Sequence, residues 1–216
     1  PLGQVDWRPT DRRENYVKRC VGLPGQTLQI KNHVVYLDGK PNKEPDNVQY
    51  SYEVHFHDGA VMTSDFMKEH AITCEDLGLS DADQAYFKSN GQIALTDQMR
   101  NTHTIMPMTA DTYQVLLSRK DLVESIRPTV SEPSIDLYPS NGNTHWTRDN
   151  YGPVWIPKKG ESIQLTLDNI AVYMRPIKVY EKNDLEVRDG KIFINGEETT
   201  SYTFKMDYYW MMGDNR

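Results

Sequence analysis

The sequence predicts a mostly β protein with a small α+β subdomain inserted into it. Three observations indicate this architecture: β-branched and aromatic runs at both ends, Asp-Gly and Asn-Gly pairs that close hairpins, and mixed strand and helix signals in the middle. We therefore expect a β-core formed by residues 1–45 and 151–216, and an inserted α+β subdomain at residues 46–150.

The first part of the predicted core consists of three short strands. The run Asn15–Val21 is β-branched and aromatic, and the Gly-Leu-Pro-Gly segment at 22–25 is a turn signal that ends it. Thr27–Lys31 and Val34–Leu37 follow as two further strands, and Asp38-Gly39 favours a tight turn after them. This part of the chain therefore predicts a strand followed by a hairpin.

The middle of the chain alternates between strand and helix signals. Apolar and polar residues alternate from Tyr50 to Phe56, which is typical of a strand, and a hydroxyl residue at the position of an N-cap indicates each of two helices. The predicted strands are Tyr50–Phe56, Ile93–Leu95 and Leu122–Ile126, and the predicted helices are Asp65–His70, capped by Ser64, and a second one capped by Thr109. A loose β-α-β-β-α-β order fits these elements.

The return segment is again rich in strands. Its prolines make Tyr151–Pro157 extended, and Val187–Gly196 has the Asp-Gly pattern of a hairpin. Between them, apolar residues recur at helical spacing from Asn169 to Tyr180, with Pro176 expected to kink the helix. The aromatic run Tyr208–Met212 is the last predicted strand.

Composition narrows the possible functions. The 216 residues carry a net charge of -7, and an acidic surface repels phosphate backbones, so we expect no nucleic-acid partner. No apolar run approaches the roughly 20 residues of a membrane span. Cys20 and Cys74 are too few for a disulfide framework, and Cys20 is expected to be a free, buried strand residue. His55 and His57 share one strand face but have no evident third ligand, so no metal site is predicted.

Two stretches carry the chemistry. The first is Tyr-Val-Lys-Arg-Cys-Val-Gly-Leu-Pro-Gly at 16–25, and the second is Met-Gly-Asp-Asn-Arg at 212–216. Each alone is typical of an ordinary strand and turn, and a strand lysine usually extends its amine into water. Together and in this order, they resemble two sequence boxes of bacterial type I signal peptidases, the leader peptidases of peptidase family S26. The Tyr151–Pro157 segment is also of a kind found in these enzymes, and some members carry a long insertion between the boxes.

The resemblance implies a signal-peptidase-like β-core and a serine–lysine dyad, in which Lys18 matches the general base. A lysine that acts as a base must first lose its proton, and a free lysine has a pKa of about 10.4. Apolar neighbours favour the neutral amine, so Tyr16, Val17, Met211 and Met212 are expected to surround it. An arginine in this position would not serve, because a guanidinium does not deprotonate.

The resemblance also assigns the residues around the lysine. Gly213 matches a glycine that leaves room for the amine, while Arg19, Asp214 and Arg216 are expected to form a supporting ionic network. Tyr16 and Val17 are expected to bind the substrate, as part of a strand edge on which an extended peptide pairs. The implied substrates are signal peptides of exported preproteins that end in a small-residue pattern of the Ala-x-Ala type.

The resemblance further implies a hydrolase of the protein secretion pathway. Its catalytic domain would lie on the periplasmic side of the bacterial cytoplasmic membrane, held by an upstream anchor absent from these residues, and would need no cofactor. The family serine lies upstream in a Ser-x-x-Pro-like box, yet residues 1–17 contain no serine. We therefore expect a chain truncated at both ends and catalytically inactive.

Two alternatives stay open. One is a self-cleaving repressor-type protease, which shares the serine–lysine chemistry but lacks these two boxes. The other is a non-catalytic periplasmic peptide- or protein-binding module that has kept the fold.

Overall fold

A computed structural model of the protein describes residues 17–95, 104–134, 137–139 and 145–215. Two of the predicted site residues, Tyr16 and Arg216, lie outside the described residues, as does the beginning of the predicted strand Asn15–Val21. The described residues form sixteen short strands and four α-helices, which confirms the mostly β prediction.

The strands are β1 (Arg19–Gly22), β2 (Thr27–Lys31), β3 (Val34–Leu37), β4 (Lys40–Pro41), β5 (Gln49–Phe56), β6 (Val61–Thr63), β7 (Gln92–Ala94), β8 (Thr104–Thr109), β9 (Val123–Pro128), β10 (Tyr151–Trp155), β11 (Ser162–Gln164), β12 (Leu185–Arg188), β13 (Lys191–Ile194), β14 (Glu197–Glu198), β15 (Ser201–Thr203) and β16 (Trp210–Met212). The helices are α1 (Ser64–Glu69), α2 (Asp81–Asn90), α3 (Ala110–Ser118) and α4 (Ile170–Arg175), and a π-helical turn follows α4 at Pro176–Tyr180.

The core strands pair across the insertion. Strand β10 of the return segment pairs antiparallel with β2, giving the sheet order β10-β2-β3-β4. The β2–β3 hairpin turns at Asn32 and His33, whose φ angles of 48° and 72° are those that a two-residue hairpin turn requires. Both strands have the bounds that the sequence predicted.

The described residues contain two separate hydrophobic clusters. The first contains Leu28, Val35, Ile177 and Phe204, and it packs the core strands against α4. The second lies within the insertion and contains fifteen buried residues, Val54, Phe56, Ala60, Met62, Met67, Ile72, Leu77, Leu79, Ile93, Leu95, Met106, Met108, Leu116, Leu122 and Val123. The division at residues 45 and 150 remains a proposal. Tyr138 and Trp146 already pack against the first cluster, so the chain rejoins the core before residue 150.

The insertion differs in part from the predicted order. Its described elements run β-β-α-α-β-β-α-β, and β5 lies between β8 and β9 in a three-stranded sheet. Helix α1 is capped by Thr63, one residue earlier than predicted, because the Thr63 hydroxyl accepts the Phe66 N–H. Helix α2 was not predicted, because it buries no residue and so lacks an apolar stripe. The predicted cap Thr109 of α3 is confirmed.

The return segment changes helix type at the predicted proline. Helix α4 ends at Arg175, and the N–H of Glu181 donates to the Pro176 carbonyl at 3.0 Å, a five-residue step that defines a π-helical turn. The turn brings Glu181 to the segment that leads into β16, the last strand before the second sequence box.

Candidate active site

The two sequence boxes meet in an antiparallel ribbon of β1 and β16. Its register pairs Arg19 with Met212 and Cys20 with Met211, and an irregularity follows before Gly22 pairs with Trp210. The ribbon is the only pairing that the described residues give to either strand. Residues almost 200 positions apart in the chain are thereby placed side by side.

Gly213 lies directly against Lys18. A Cβ atom at Gly213 would lie 3.1 Å from the Lys18 Nζ atom and 3.3 Å from the main-chain oxygen of Asn215. These distances are shorter than ordinary contacts of about 3.5 Å or more. Glycine therefore leaves the lysine amine room that any other residue would occupy.

Arg19 and Asp214 form a bidentate ion pair beside the lysine. The Arg19 Nε and Nη2 atoms donate to the two carboxylate oxygens of Asp214 at 2.9 and 2.6 Å. These hydrogen bonds raise the pKa of the Arg19 guanidinium above its ordinary value. Both side chains are partly exposed, so the pair contributes geometry more than stability. It fixes the register of the ribbon at the point where Lys18 precedes β1.

The predicted apolar surroundings of the lysine are not formed by the described residues. Lys18 is exposed, the Val17 side chain is 89% exposed, and Met211 is 50% exposed. Cys20 is a free and exposed thiol, so its predicted burial was wrong. The physical reason is that a two-stranded ribbon leaves one face in solvent unless another element covers it.

A second contact holds the Asp214 segment from the opposite direction. The Gln49 N–H, at the start of β5, donates to the Asp214 carbonyl oxygen at 2.7 Å, and Gln49 forms a parallel bridge with Asn215. The insertion therefore touches the second sequence box through its main chain. Sequence reasoning missed this contact, because a main-chain hydrogen bond does not depend on the identity of the side chain.

Glu181 holds the segment that leads into β16. Its carboxylate accepts hydrogen bonds from the hydroxyls of Tyr202 and Tyr208 at 2.5 and 3.3 Å. It also accepts hydrogen bonds from the main-chain N–H groups of Lys205 and Met206 at 2.9 to 3.1 Å. Burial, and then the hydrogen bond to Glu181, raise the pKa of Tyr202 to about 12. The sequence offered no signal for this network, since its members are far apart in the chain.

Within the described parts of the chain, no three His, Cys, Asp or Glu side chains lie close enough to hold a metal ion. No helix among the described residues is both long and apolar enough to cross a bilayer. A groove of about 260 Å³ lies beside β16 and is lined by Trp155, Tyr173, Tyr209 and Trp210 among others.

A protein-family model matches a large part of the first half of the chain. Residues 5–109 match the family model for signal peptidase, peptidase S26, and the first sequence box lies within this match. The second box lies beyond it. The chain is therefore similar to the S26 family over nearly half of its length.

Several curated proteins named signal peptidase I match parts of the chain. Signal peptidase I of Bacillus amyloliquefaciens is 43% identical over 53 residues, which cover 24% of this chain and 28% of the relative. Signal peptidase I U of Bacillus subtilis (strain 168) is 38% identical over 55 residues, which cover 26% of this chain and 29% of the relative. Signal peptidase I of Bacillus licheniformis is 30% identical over 93 residues, covering 42% and 48%. Over these segments the chain is similar to type I signal peptidases.

The chain spans less than half the length of each of these three relatives. No solved structure matches it.

Proposed function

We propose that this chain is the extracytoplasmic part of a serine endopeptidase that cleaves signal peptides from exported preproteins. The observation that carries the proposal is the β1–β16 ribbon, which brings Lys18 against Gly213 and pairs Arg19 with Asp214. Two boxes that resemble those of one enzyme family are thus adjacent in space. The family match and the relatives named signal peptidase I support the same reaction.

In the proposed mechanism, Lys18 is the general base of a serine–lysine dyad. The neutral amine accepts the serine proton as the serine oxygen attacks the scissile carbonyl, and then returns a proton to the leaving amine. Water hydrolyses the resulting acyl-enzyme and releases the signal peptide. The Arg19–Asp214 pair keeps the ribbon in register, so that the amine stays within reach of the serine.

The proposed substrate edge lies at residues 16–17, directly before the lysine. Val17 is exposed and precedes the part of β1 that pairs with β16, which makes the main chain here available to an extended peptide. A bound peptide would cover this face of the ribbon. We propose that it also excludes water from Lys18, which the described residues leave exposed.

The serine is proposed to come from a segment upstream of residue 1, next to a membrane anchor at the periplasmic face of the cytoplasmic membrane. Because residues 1–17 contain no serine, the 216 residues alone are proposed to be inactive. An extended protein is therefore needed for the test. It would include the upstream Ser-x-x-Pro segment and the residues after Arg216, without a membrane span.

The test compares cleavage of two peptides by this extended protein and by the 216-residue chain. One peptide carries an Ala-x-Ala leader end, and its control has phenylalanine in place of the alanine before the scissile bond. Cleavage of the first peptide alone, and by the extended protein alone, is the expected result. Absence of cleavage by a folded extended protein would favour the non-catalytic binding module, and equal cleavage of both peptides would remove the proposed specificity.

A further inference from the structure

We propose that the start of β5, Gln49 and Tyr50, which we call the root of the insertion, is a positioning element for the catalytic lysine. It acts through the Gln49–Asp214 main-chain hydrogen bond. This inference rests on the proposed function and gives the insertion a role in it. The Asp214 segment is held on two sides. The Arg19 side chain binds its carboxylate, and the Gln49 N–H binds its carbonyl oxygen at 2.7 Å.

The root can act as a positioning element because it is itself fixed to the core. The hydroxyl of Tyr50 lies 2.5 Å from Glu44 Oε2 and 3.2 Å from the main-chain oxygen of His33, in the β2–β3 turn. The His33 and Tyr50 rings also meet edge to face, with centroids 5.5 Å apart. The start of β5 is thus tied to the core hairpin one residue after its contact with Asp214.

The segment that leads from the insertion back to the core contacts the same β2–β3 turn, and we call this meeting point the junction. The His33 Nδ1 atom lies 2.9 Å from Asp149 Oδ1, and the His33 N–H donates to the Asp149 main-chain oxygen at 3.1 Å. The Ser131 N–H donates to the other carboxylate oxygen of Asp149 at 2.7 Å. Both crossings between core and insertion therefore converge on one turn, which leaves the start of β5 little freedom to move.

Only Asp214 and Gly213 lie between the Gln49 contact and the lysine. Gln49 fixes the Asp214 carbonyl, and Gly213 is the next residue toward β16. The Lys18 Nζ atom lies 3.1 Å from the position that a Cβ atom on Gly213 would occupy. If the Gln49 bond is removed, the Gly213–Asn215 segment can move away from Lys18, and the amine loses the contact that fixes its position. A misplaced amine slows the chemical step more than it weakens substrate binding.

Gln49→Pro tests this step, because proline removes the N–H and is tolerated at the first residue of a strand. Gln49→Ala is the matched control, since it keeps the N–H and changes only the side chain. In the extended protein, we expect Gln49→Pro to lower kcat about fivefold or more, with little change in KM. The fall in kcat at unchanged KM would be present in Gln49→Pro and absent in Gln49→Ala.

Tyr50→Phe gives a second test that keeps every main-chain donor. It removes the hydroxyl contacts of Tyr50 and should lower kcat by a smaller amount, again with little change in KM. Loss of thermal stability with an unchanged kcat per folded molecule would overturn the inference, because a purely structural contact behaves in that way.

Hydrogen exchange in the 216-residue chain separates this inference from the proposed function. Gln49→Pro should raise the exchange rates of the Gly213–Asn215 amides about fivefold or more over those of Gln49→Ala. Faster exchange together with an inactive extended protein would refute the proposed function and keep the junction. Unchanged exchange would refute the positioning element, whatever the activity.

Discussion

Replacing Gly213 by alanine is the sharpest test of the contact at the lysine. The new Cβ atom would lie 3.1 Å from Lys18 Nζ, and contacts of this kind relax to about 3.5 Å or more. The amine must therefore move by about 0.4 Å or more. The Asn215 oxygen, 3.3 Å from the same Cβ, must yield slightly as well.

The expected effect is large on catalysis and small on stability. A misplacement of about 1 Å at a reacting group can cost about 100-fold in rate, so we expect kcat of the extended protein to fall roughly tenfold. Gly213 does not have a positive φ, and Lys18 is exposed, so alanine strains neither the backbone nor the core. The free energy of unfolding should change by less than about 1 kcal/mol.

The assay measures kcat and the urea unfolding midpoint on the same samples of extended Gly213→Ala and wild-type protein. An unchanged kcat would refute the reasoning, because the alanine would then have found room beside the amine. A fall in kcat that only follows the unfolded fraction would refute it equally.

Three further predictions concern the fold around the site. Gly22→Ala should destabilise the core by about 1–3 kcal/mol in urea unfolding, because its Cβ would lie 2.3 Å from Ile156 Cδ1 in a buried contact; an unchanged midpoint would contradict this. Tyr202→Phe should lower the free energy of unfolding by about 1–3 kcal/mol, because Glu181 and the buried Asn183 amide each lose one hydrogen-bond partner. A neutral effect in the same assay would contradict this and would show that water replaces the hydroxyl. Alkaline unfolding, followed by tyrosinate absorbance and circular dichroism, should begin above pH ~10 and be complete near pH ~12. Burial raises the pKa of Tyr138, Tyr173 and Tyr202, which belong to or pack against the first cluster, to about 12. The stability that their neutral forms contribute is therefore complete below pH ~10 and disappears as the pH rises through ~12. Ionisation of these tyrosines at pH ~10 without unfolding would contradict this.

The parts of the fold that local chemistry determines were predictable from the sequence. The bounds of β2 and β3 follow from β-branched runs between turn residues, and the Thr109 cap follows from a hydroxyl before a helical stretch. Helix α2 has a capping box at Ser80 and a left-handed glycine at its end, but no buried residue, so hydrophobic periodicity could not reveal it.

The site was predictable only in part. The two sequence boxes predict that Lys18, Arg19, Gly213 and Asp214 belong to one site, and the ribbon brings these four residues together. The burial of the lysine was not predictable, because burial depends on elements that pack over the ribbon rather than on its own residues. The Gln49 contact was equally hidden, since it runs through the main chain.

The central claim is that Lys18 is the base of the peptidase, and one pair of variants tests it most directly. Lys18→Met and Lys31→Met would be made in the extended protein, and cleavage of the Ala-x-Ala peptide would be followed by mass spectrometry. Lys31 is an exposed lysine of β2 whose amine lies 5.3 Å from the centroid of the Tyr36 ring, so it controls for loss of a positive charge. We predict cleavage after the alanine by wild type and Lys31→Met, and none by Lys18→Met. Equal cleavage by both variants would contradict the claim.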